Sequence, residues 1–250
     1  MSGHSKWSTI KRKKGAQDAK RSNLFAKLLR AVEVAAREGG GSVEGNMTLA
    51  SAVEKAKDAS VPNENIERAI KRGTGELEGG ARYEEVTYEG YGPGGVALFV
   101  ETLTDNRNRT AQDVRHAFSR SGGNLGETGS TAWMFTRKGV IQIEKDAAPD
   151  EVRLLEIAME AGAEDLADAE STWEVTTDPT ALIEVRDAIA GAGVPVLSAE
   201  LSMLPQTQVP VEGGQARQVL ALLEALEELD DVQNIYANFD IPEELMAEAG

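Results

Sequence analysis

The sequence predicts an α+β fold of three domains: an N-terminal three-helix domain, then two α/β domains of the ferredoxin-like type, one inserted in the other. Three observations support this prediction. Apolar residues recur at helical spacing up to residue 73, and after residue 82 the pattern alternates as in short strands. The last predicted strand has no sheet of its own, so it must complete a sheet that begins earlier.

The N-terminal helical domain is expected over residues 1–80. Apolar residues at helical spacing predict its first helix over residues 16–38. Asparagine is a common N-cap residue, so a second helix is expected to begin after Asn46. Proline is common at the first position of a helix, so a third is expected to begin near Pro62. Gly73 is placed to end the third helix.

The central α/β domain is expected to be discontinuous, over residues 81–135 and 205–250. Residues 83–90 and 96–104 alternate as two strands, joined by a turn rich in glycine. A helix should follow this hairpin, with Thr110 as the first residue of its capping box.

Three more elements are predicted for the same domain. Residues 130–135 are expected to form a strand, a later helix should run through Val219 and Leu226, and residues 232–239 should form the last strand. Because an isolated strand or a lone hairpin is not stable, we expect this strand to join the hairpin in one sheet.

The inserted domain is expected over residues 136–204, in the β-α-β-β-α-β order of a ferredoxin-like fold. Val152, Leu155 and Met159 are expected on the core face of its first helix. The predicted strands are 139–144, 163–166, 171–176 and 196–203, and the predicted helices are 150–161 and 180–191.

Charge is unevenly distributed along the chain, whose net charge is −16. Residues 1–37 carry ten Lys and Arg against two acidic residues, a net charge of +8, whereas residues 131–250 carry six basic and twenty-five acidic residues, a net charge of −19. Such asymmetry predicts an end that faces nucleic acid and a solvated, acidic body. A merely solvated basic helix face is the alternative, but adjacent cations without intervening acids repel each other.

Several classes of protein are disfavoured by composition. The chain has no cysteine, so no disulfide framework, thiolate nucleophile or Cys-based zinc site is possible. Residues 1–22 lack the apolar core of a secretory signal, and no run is long enough to span a bilayer. We therefore expect a cytoplasmic protein without a membrane partner.

No catalytic or cofactor site is predicted. Gly90–Gly95 satisfies G-x-G-x-x-G, but a strand follows it, so a hairpin turn explains it better than a nucleotide site. His4 and His116 lie too far apart in the chain to indicate a metal site. We expect no enzyme, no metal and no cofactor. A hydrolase using Asp105 and His116 is one alternative, and a pure protein-interaction module is another.

The basic N-terminal segment is the strongest functional feature, because Lys and Arg bind phosphates with release of counterions. Trp7 could stack on a base or, equally, anchor the segment to the helical domain. The candidate nucleic-acid-binding residues of this segment are His4, Lys6, Trp7, Lys11, Arg12, Lys13, Lys14, Lys20, Arg21 and Lys27.

A second candidate contact is the polar loop at residues 105–110, between a predicted strand and a helix N-terminus that favours anions. Arg107 and Arg109 are bidentate phosphate donors, and Asn108 can donate and accept at a base edge. The alternative is a polar turn in which the arginines pair with nearby acidic residues.

Four separated motifs resemble the YebC/PmpR family, which includes the mitochondrial translational activator of cytochrome c oxidase. They are GHSKWSTIKRKKGAQDAKR at residues 3–21, YEGYGPGGVA at 88–97, TDNRNRT at 104–110 and GSTAWMF at 129–135. The resemblance covers the whole chain. It implies three domains and no established activity or cofactor. Members are described as transcriptional regulators that bind DNA, or resemble ribosome-associated factors that act at difficult nascent sequences such as proline runs.

The combined prediction is a non-enzymatic nucleic-acid-binding regulator of gene expression, with DNA, ribosomal RNA or both as partners and the ribosome as a further candidate. The sequence does not fix the oligomeric state, and a monomer is favoured. We expect RNA to be at least as important as promoter DNA. No zinc finger, zipper or helix-turn-helix with a tight glycine turn is evident, and a Lys-rich segment with one Trp suits backbone tracking and stacking.

Overall fold

The computed structural model describes residues 18–79, 82–148, 150–169 and 171–242, and it has the predicted α+β fold. The helices of these residues are α1 (Asp18–Gly39), α2 (Met47–Asp58), α3 (Asn63–Gly73), α4 (Arg107–Arg120), α5 (Glu151–Glu160), α6 (Leu182–Gly191) and α7 (Gly213–Glu227). The strands are β1 (Glu84–Tyr91), β2 (Ala97–Thr104), β3 (Asn124–Leu125), β4 (Phe135–Glu144), β5 (Ala163–Ala169), β6 (Thr172–Thr177), β7 (Ser198–Pro205), β8 (Val209–Pro210), β9 (Val232–Ala237) and β10 (Phe239–Asp240). None of the described helices is long and apolar enough to cross a membrane.

The three N-terminal helices pack around a small apolar core that includes Val32, Leu49 and Ile66. Asn46 caps α2 as predicted, because its side-chain oxygen accepts from the backbone N–H of Leu49 at 3.0 Å. The same side chain donates to the carbonyl of Ala35 at 2.8 Å and so ties α2 to α1. One buried amide therefore serves both as a helix cap and as a contact between helices.

The first sheet has the strand order β3-β1-β2-β9, and all its pairs are antiparallel. The predicted return of the last strand is thus confirmed, since β9 pairs with β2 beside the hairpin. The turn of that hairpin contains Gly94 and Gly95 at φ of 74° and 80°, a left-handed conformation that disfavours other residues. Gly90 is required for a different reason, because a Cβ there would lie 2.5 Å from the carbonyl oxygen of Asn124.

Strand β2 lies at the centre of two packed layers. Leu98 and Val100 face α4 and α7 in the larger core of the protein. On the opposite face, Phe99 contacts Phe135 and Tyr236, each with ring centroids 6.3 Å away. This second cluster joins the first sheet to the start of β4.

The second sheet has the order β5-β6-β4-β7 and is antiparallel throughout. This is the ferredoxin-like arrangement predicted for residues 136–204, with α5 and α6 as its two helices. Because the two sheets share no strand, we propose the domain division of residues 1–80, 81–135 with 205–250, and 136–204. Ion pairs from α2 reach the second sheet's domain, Lys55 to Glu200 at 3.0 Å and Glu54 to Arg186 at 3.5 Å.

Three local predictions were wrong. Residues 130–135 do not form a strand: a 3-10 turn at Ala132–Met134 precedes β4, because a buried carboxylate binds the backbone N–H groups there. Asn106, not Thr110, caps α4. Helix α5 turns its other face to the core.

The core face of α5 is formed by Leu154 and Ala158, which are fully buried. The residues predicted there are instead exposed, Val152 by 65%, Leu155 by 40% and Met159 by 48%. The helix carries two apolar stripes, and spacing alone cannot distinguish the one that packs on the sheet.

Candidate nucleic-acid interface

Most of the basic N-terminal candidates lie outside the described residues. These are His4, Lys6, Trp7, Lys11, Arg12, Lys13 and Lys14. Lys20 and Arg21 belong to α1, but their side chains are also outside the description. The structure therefore bears on this segment only through α1 from residue 22 onward, which includes Lys27.

One side of α1 is fixed to the end of α7. Asn23 donates to the carbonyl of Glu228 at 3.1 Å, and Lys27 donates through its ammonium to the carbonyl of Glu227. Arg30 donates to the carbonyl of Asp230 at 2.7 Å. Spacings of four and three residues place these side chains on one helix face. Asn23 and Lys27 satisfy carbonyls that a helix C-terminus leaves unpaired, where the helix dipole also favours cations, and Arg30 binds a carbonyl of the turn that follows.

Asp231 is the centre of this contact and is only 5% exposed. Its carboxylate accepts from Arg30 at 3.0 Å, from Arg109 at 2.8 Å and from the hydroxyl of Thr110 at 2.6 Å. Burial acts to raise the pKa of Asp231, but the hydrogen bonds from Arg109 and Thr110 and the two positive charges outweigh it and lower that pKa. The carboxylate is therefore ionised and holds α1, α4 and the turn before β9 together.

In the segment of residues 105–110, one of the two arginines is held by ion pairs within the protein, and the other is largely open to solvent. Arg109 pairs with Asp231 and, at 2.9 Å, with Asp105, and the hydrogen bonds that its guanidinium donates to these carboxylates raise its pKa above the usual value. Arg107 is different, because 66% of its side chain is exposed and its contact with Glu84 is long, at 3.8 Å. Asn108 is exposed. All three candidates are exposed, Arg109 by 48% of its side chain, but the guanidinium of Arg109 is engaged by two carboxylates, whereas Arg107 has only the long contact with Glu84.

The two predicted contact regions meet at one place. Lys27 and Arg109 both bind the segment 227–231, which begins at the last residue of α7. Sequence reasoning missed Arg30 and Asp231, which join them. Arg30 could have been found, since it lies three residues after Lys27 in the basic helix, but no local pattern marks Asp231.

A cleft of about 480 Å³ lies between the ends of α1 and α3 and the linker, and three arginines line it: Arg37, Arg72 and Arg82. Glu33, which is buried, pairs with Arg37 at 3.0 Å and with Arg72 at 3.6 Å. One carboxylate thus faces two guanidinium groups, and Glu78, which also lines the cleft, adds a second negative charge against the three arginines.

Asp105 and His116, the pair considered for a hydrolase, are not brought together. Asp105 precedes α4 and pairs with Arg109, whereas the exposed His116 lies in the third turn, about 14 Å further along the axis. Among the described residues, no group of three or more His, Asp or Glu has a geometry that could hold a metal ion.

Comparison with known proteins identifies the family. Residues 5–76 match the family model for the TACO1/YebC protein N-terminal domain, and residues 83–239 match the model for the TACO1/YebC second and third domain. The chain belongs to the TACO1/YebC family, and the resemblance stated from the four sequence motifs is confirmed.

Relatives align over almost the entire chain. A protein of Rubrobacter xylanophilus named "Probable transcriptional regulatory protein" is 59% identical over 248 residues, which are 99% of each chain. A protein of Pelotomaculum thermopropionicum with the same name is 57% identical over 242 residues, 96% of this chain and 99% of its own. The crystal structure of a conserved hypothetical protein, Aq1575 of Aquifex aeolicus, superposes with a TM-score of 0.82 at 49% identity and covers 92% of this chain and 94% of its own.

Proposed function

We propose that this protein is a nucleic-acid-binding regulator of gene expression, and that the basic segment before and within α1 binds its target. The observation that carries the proposal is the separation of charge, +8 over residues 1–37 against −19 over residues 131–250. The names of its relatives as transcriptional regulators support the regulatory part of this proposal. The acidic body repels phosphates, so we expect the main phosphate contacts at the basic end.

The docking of α1 supports this assignment. Lys27 and Arg30 use their charges to bind carbonyls and the carboxylate of Asp231, so they hold the helix in place rather than remain open to phosphates. The cations that precede Asp18 in the sequence are therefore attached to a helix that is anchored to the rest of the protein. Arg107 and Asn108 then supply a second, smaller contact at the N-terminus of α4, where backbone N–H groups favour anions.

Duplex DNA in a regulatory site is the first candidate target, and ribosomal RNA is the second. One observation favours RNA. Helices α2 and α3 are joined by a tight turn, in which Ser60 adopts a φ of 62°, so they share the connectivity of a helix-turn-helix. However, the first two turns of α3 carry Glu64 and Glu67, and DNA-reading helices place their N-terminal residues against base edges between phosphates. Carboxylates there disfavour entry into a major groove.

The proposal is tested by replacing Lys11, Arg12, Lys13 and Lys14 together by Glu. We expect wild-type protein to bind RNA and DNA fragments with a log affinity that falls steeply with log salt, and the variant to lose binding at all salt concentrations. The matched control changes four exposed cations elsewhere by the same total charge: Lys57, Lys71, Arg115 and Arg120 to Glu. Equal loss in the control, or none in the Lys11–Lys14 variant, would reject the basic segment as the binding element.

The choice between targets is tested by crosslinking in living cells, followed by sequencing of bound DNA and bound RNA. Crosslinks to ribosomal RNA that vanish in the Lys11–Lys14 variant would support the translational role. Enrichment at a few promoters, without excess ribosomal RNA over a mock control, would support transcriptional regulation instead.

A further inference from the structure

Trp133 is the most exposed of the large apolar aromatic side chains in the described part of the chain, with 66% of the residue open to solvent. Its indole N–H donates to the carbonyl of Ser130 at 3.1 Å, which fixes the orientation of the ring. Because the only polar atom of the side chain is already bonded, the rest of the ring surface that solvent can reach is apolar.

The backbone beneath Trp133 is held by a buried carboxylate. Glu89 of β1 is 3% exposed and accepts from the backbone N–H groups of Gly129, Thr131 and Ala132, each at 2.7 Å. Burial acts to raise the pKa of Glu89, but these hydrogen bonds outweigh it and lower that pKa. Three charge-assisted hydrogen bonds to one side chain make the loop a rigid support.

The residues on either side of Trp133 point the other way. Ala132 and Met134 pack against the cluster of Phe99, Phe135 and Tyr236. The turn therefore directs two apolar neighbours inward and the largest side chain of the three outward. An exposed Trp on a fixed backbone gains no burial energy from folding, so packing does not explain it.

A second aromatic side chain lies at the same point. Tyr91 is 38% exposed, and its hydroxyl donates to the carbonyl of Ser130 at 3.0 Å. Trp133 and Tyr91 thus bond to one oxygen atom, and their side chains lie within one small area at the C-terminal end of β1.

We propose that Trp133 is a stacking platform for an unpaired nucleobase, with Tyr91 beside it. The inference rests on the proposed nucleic-acid binding and extends it to a second site, on the central domain. A base needs only one ring face, whereas a protein interface needs a wide contiguous apolar patch. The loop beside Trp133, residues 126–130, consists of Gly, Glu, Thr and Ser, so the ring stands among small and polar residues. Stacking of this kind tolerates any base and requires an unstacked one, which favours single-stranded RNA over duplex DNA.

The first test uses the fluorescence of Trp133 itself. The chain has three tryptophans, so replacing Trp7 and Trp173 by Phe leaves Trp133 as the sole emitter. We expect a single-stranded RNA oligomer to quench this emission, and an abasic oligomer of equal length and charge to bind without quenching. Binding of the RNA oligomer with no change in emission would overturn the inference.

The second test measures affinity for the same oligomer by fluorescence anisotropy. Trp133→Ala should weaken binding roughly 5- to 100-fold, and Trp133→Phe much less. The melting temperature should stay near that of the wild type, because the side chain is exposed. Val152→Ala, which alters an equally exposed apolar residue on α5, is the control and should bind like the wild type.

The outcomes separate this inference from the proposed function. Salt-dependent binding by the wild type, with equal affinity in Trp133→Ala, would reject the stacking site and leave the basic segment as the binding element. No binding of RNA or DNA by the wild type at low salt would reject both. Loss of a co-purifying protein in Trp133→Ala, at unchanged RNA affinity, would make the surface a protein interface and so overturn the inference.

Discussion

Arg30 and Asp231 form an ion pair with 3.0 Å between Nη1 and Oδ1, although they are 201 residues apart in the chain. Their side chains are only 15% and 7% exposed, so solvent screens the pair little. The pair fixes the basic helix α1 against the turn between α7 and β9, and the position of the proposed binding segment depends on it.

We predict that Asp231→Ala lowers the free energy of unfolding by about 3 kcal/mol, because it leaves Arg30 and Arg109 without their buried partner. Arg30→Ala should cost less, since Asp231 keeps Arg109 and Thr110. Urea unfolding measures both. Asp230→Ala is the control, because only its backbone carbonyl contacts Arg30 and its side chain is exposed. A control as unstable as Asp231→Ala would contradict the assignment.

Arg107 and Arg109 should behave differently although they are two residues apart. Arg109→Ala should lower the melting temperature by several degrees, because it removes two hydrogen bonds to carboxylates, one of them buried. Arg107→Ala should leave the melting temperature unchanged and weaken nucleic-acid binding at low salt, since its guanidinium is exposed. Equal thermal stability of the two variants would show that the Arg109 pairs do not persist in solution.

Acid should destabilise the loop that carries Trp133. The folded-state pKa of Glu89 lies below its ordinary value, so its contribution is fully present at neutral pH. It should be lost as the pH falls below about 4.3 and through the lower folded value. Glu89→Gln should be less stable at pH 7 by about 1–3 kcal/mol, and its melting temperature should vary less with pH than that of the wild type. Parallel curves for both proteins between pH 3 and 7 would argue against the carboxylate as the support.

Alanine substitutions in the two apolar stripes of α5 should lower the free energy of unfolding by very different amounts. Leu154→Ala should lower the free energy of unfolding by about 2–5 kcal/mol, because the side chain is fully buried. Leu155→Ala, one residue later and 40% exposed, should cost less than about 1 kcal/mol. Urea unfolding of the two variants compares them directly. Similar losses would mean that the helix is rotated relative to the described structure.

Local patterns were sufficient for most of the fold. Helical spacing, a cap at Asn46 and glycine at the hairpin turn are short-range signals, and each corresponds to an element of the structure. The pairing of β9 with β2 was also predictable, because a single strand must find a sheet. What these signals have in common is that the residues involved are close in sequence or obey a general rule of sheets.

The failures have a different physical origin. Asn106 and Thr110 are both residue types that cap helices, and the choice depends on Thr104 and Asp231, which bind the Thr110 hydroxyl instead. Asp231 lies 121 residues after Thr110, so no local window contains both. The same holds for Trp133, which lies in the motif GSTAWMF of residues 129–135. Its exposure follows from the hydrogen bonds between Glu89 and a turn that begins 40 residues later in the chain. Contacts between polar side chains that are distant in the chain produce no periodic pattern in the sequence, so they cannot be predicted from it in this way.

The pairing of Phe135 with Pro205 at the end of the second sheet has a genetic consequence. Opposed residues of antiparallel strands have Cα atoms about 5 Å apart, so the chain enters and leaves residues 136–204 through neighbouring positions. In the proposed domain division, the coding stretch between them is an insertion cassette: we expect its loss or exchange to leave the order β3-β1-β2-β9 intact, with a turn of a few residues closing the gap. Lineages that lengthen or shorten this chain are therefore expected to do so first within that cassette.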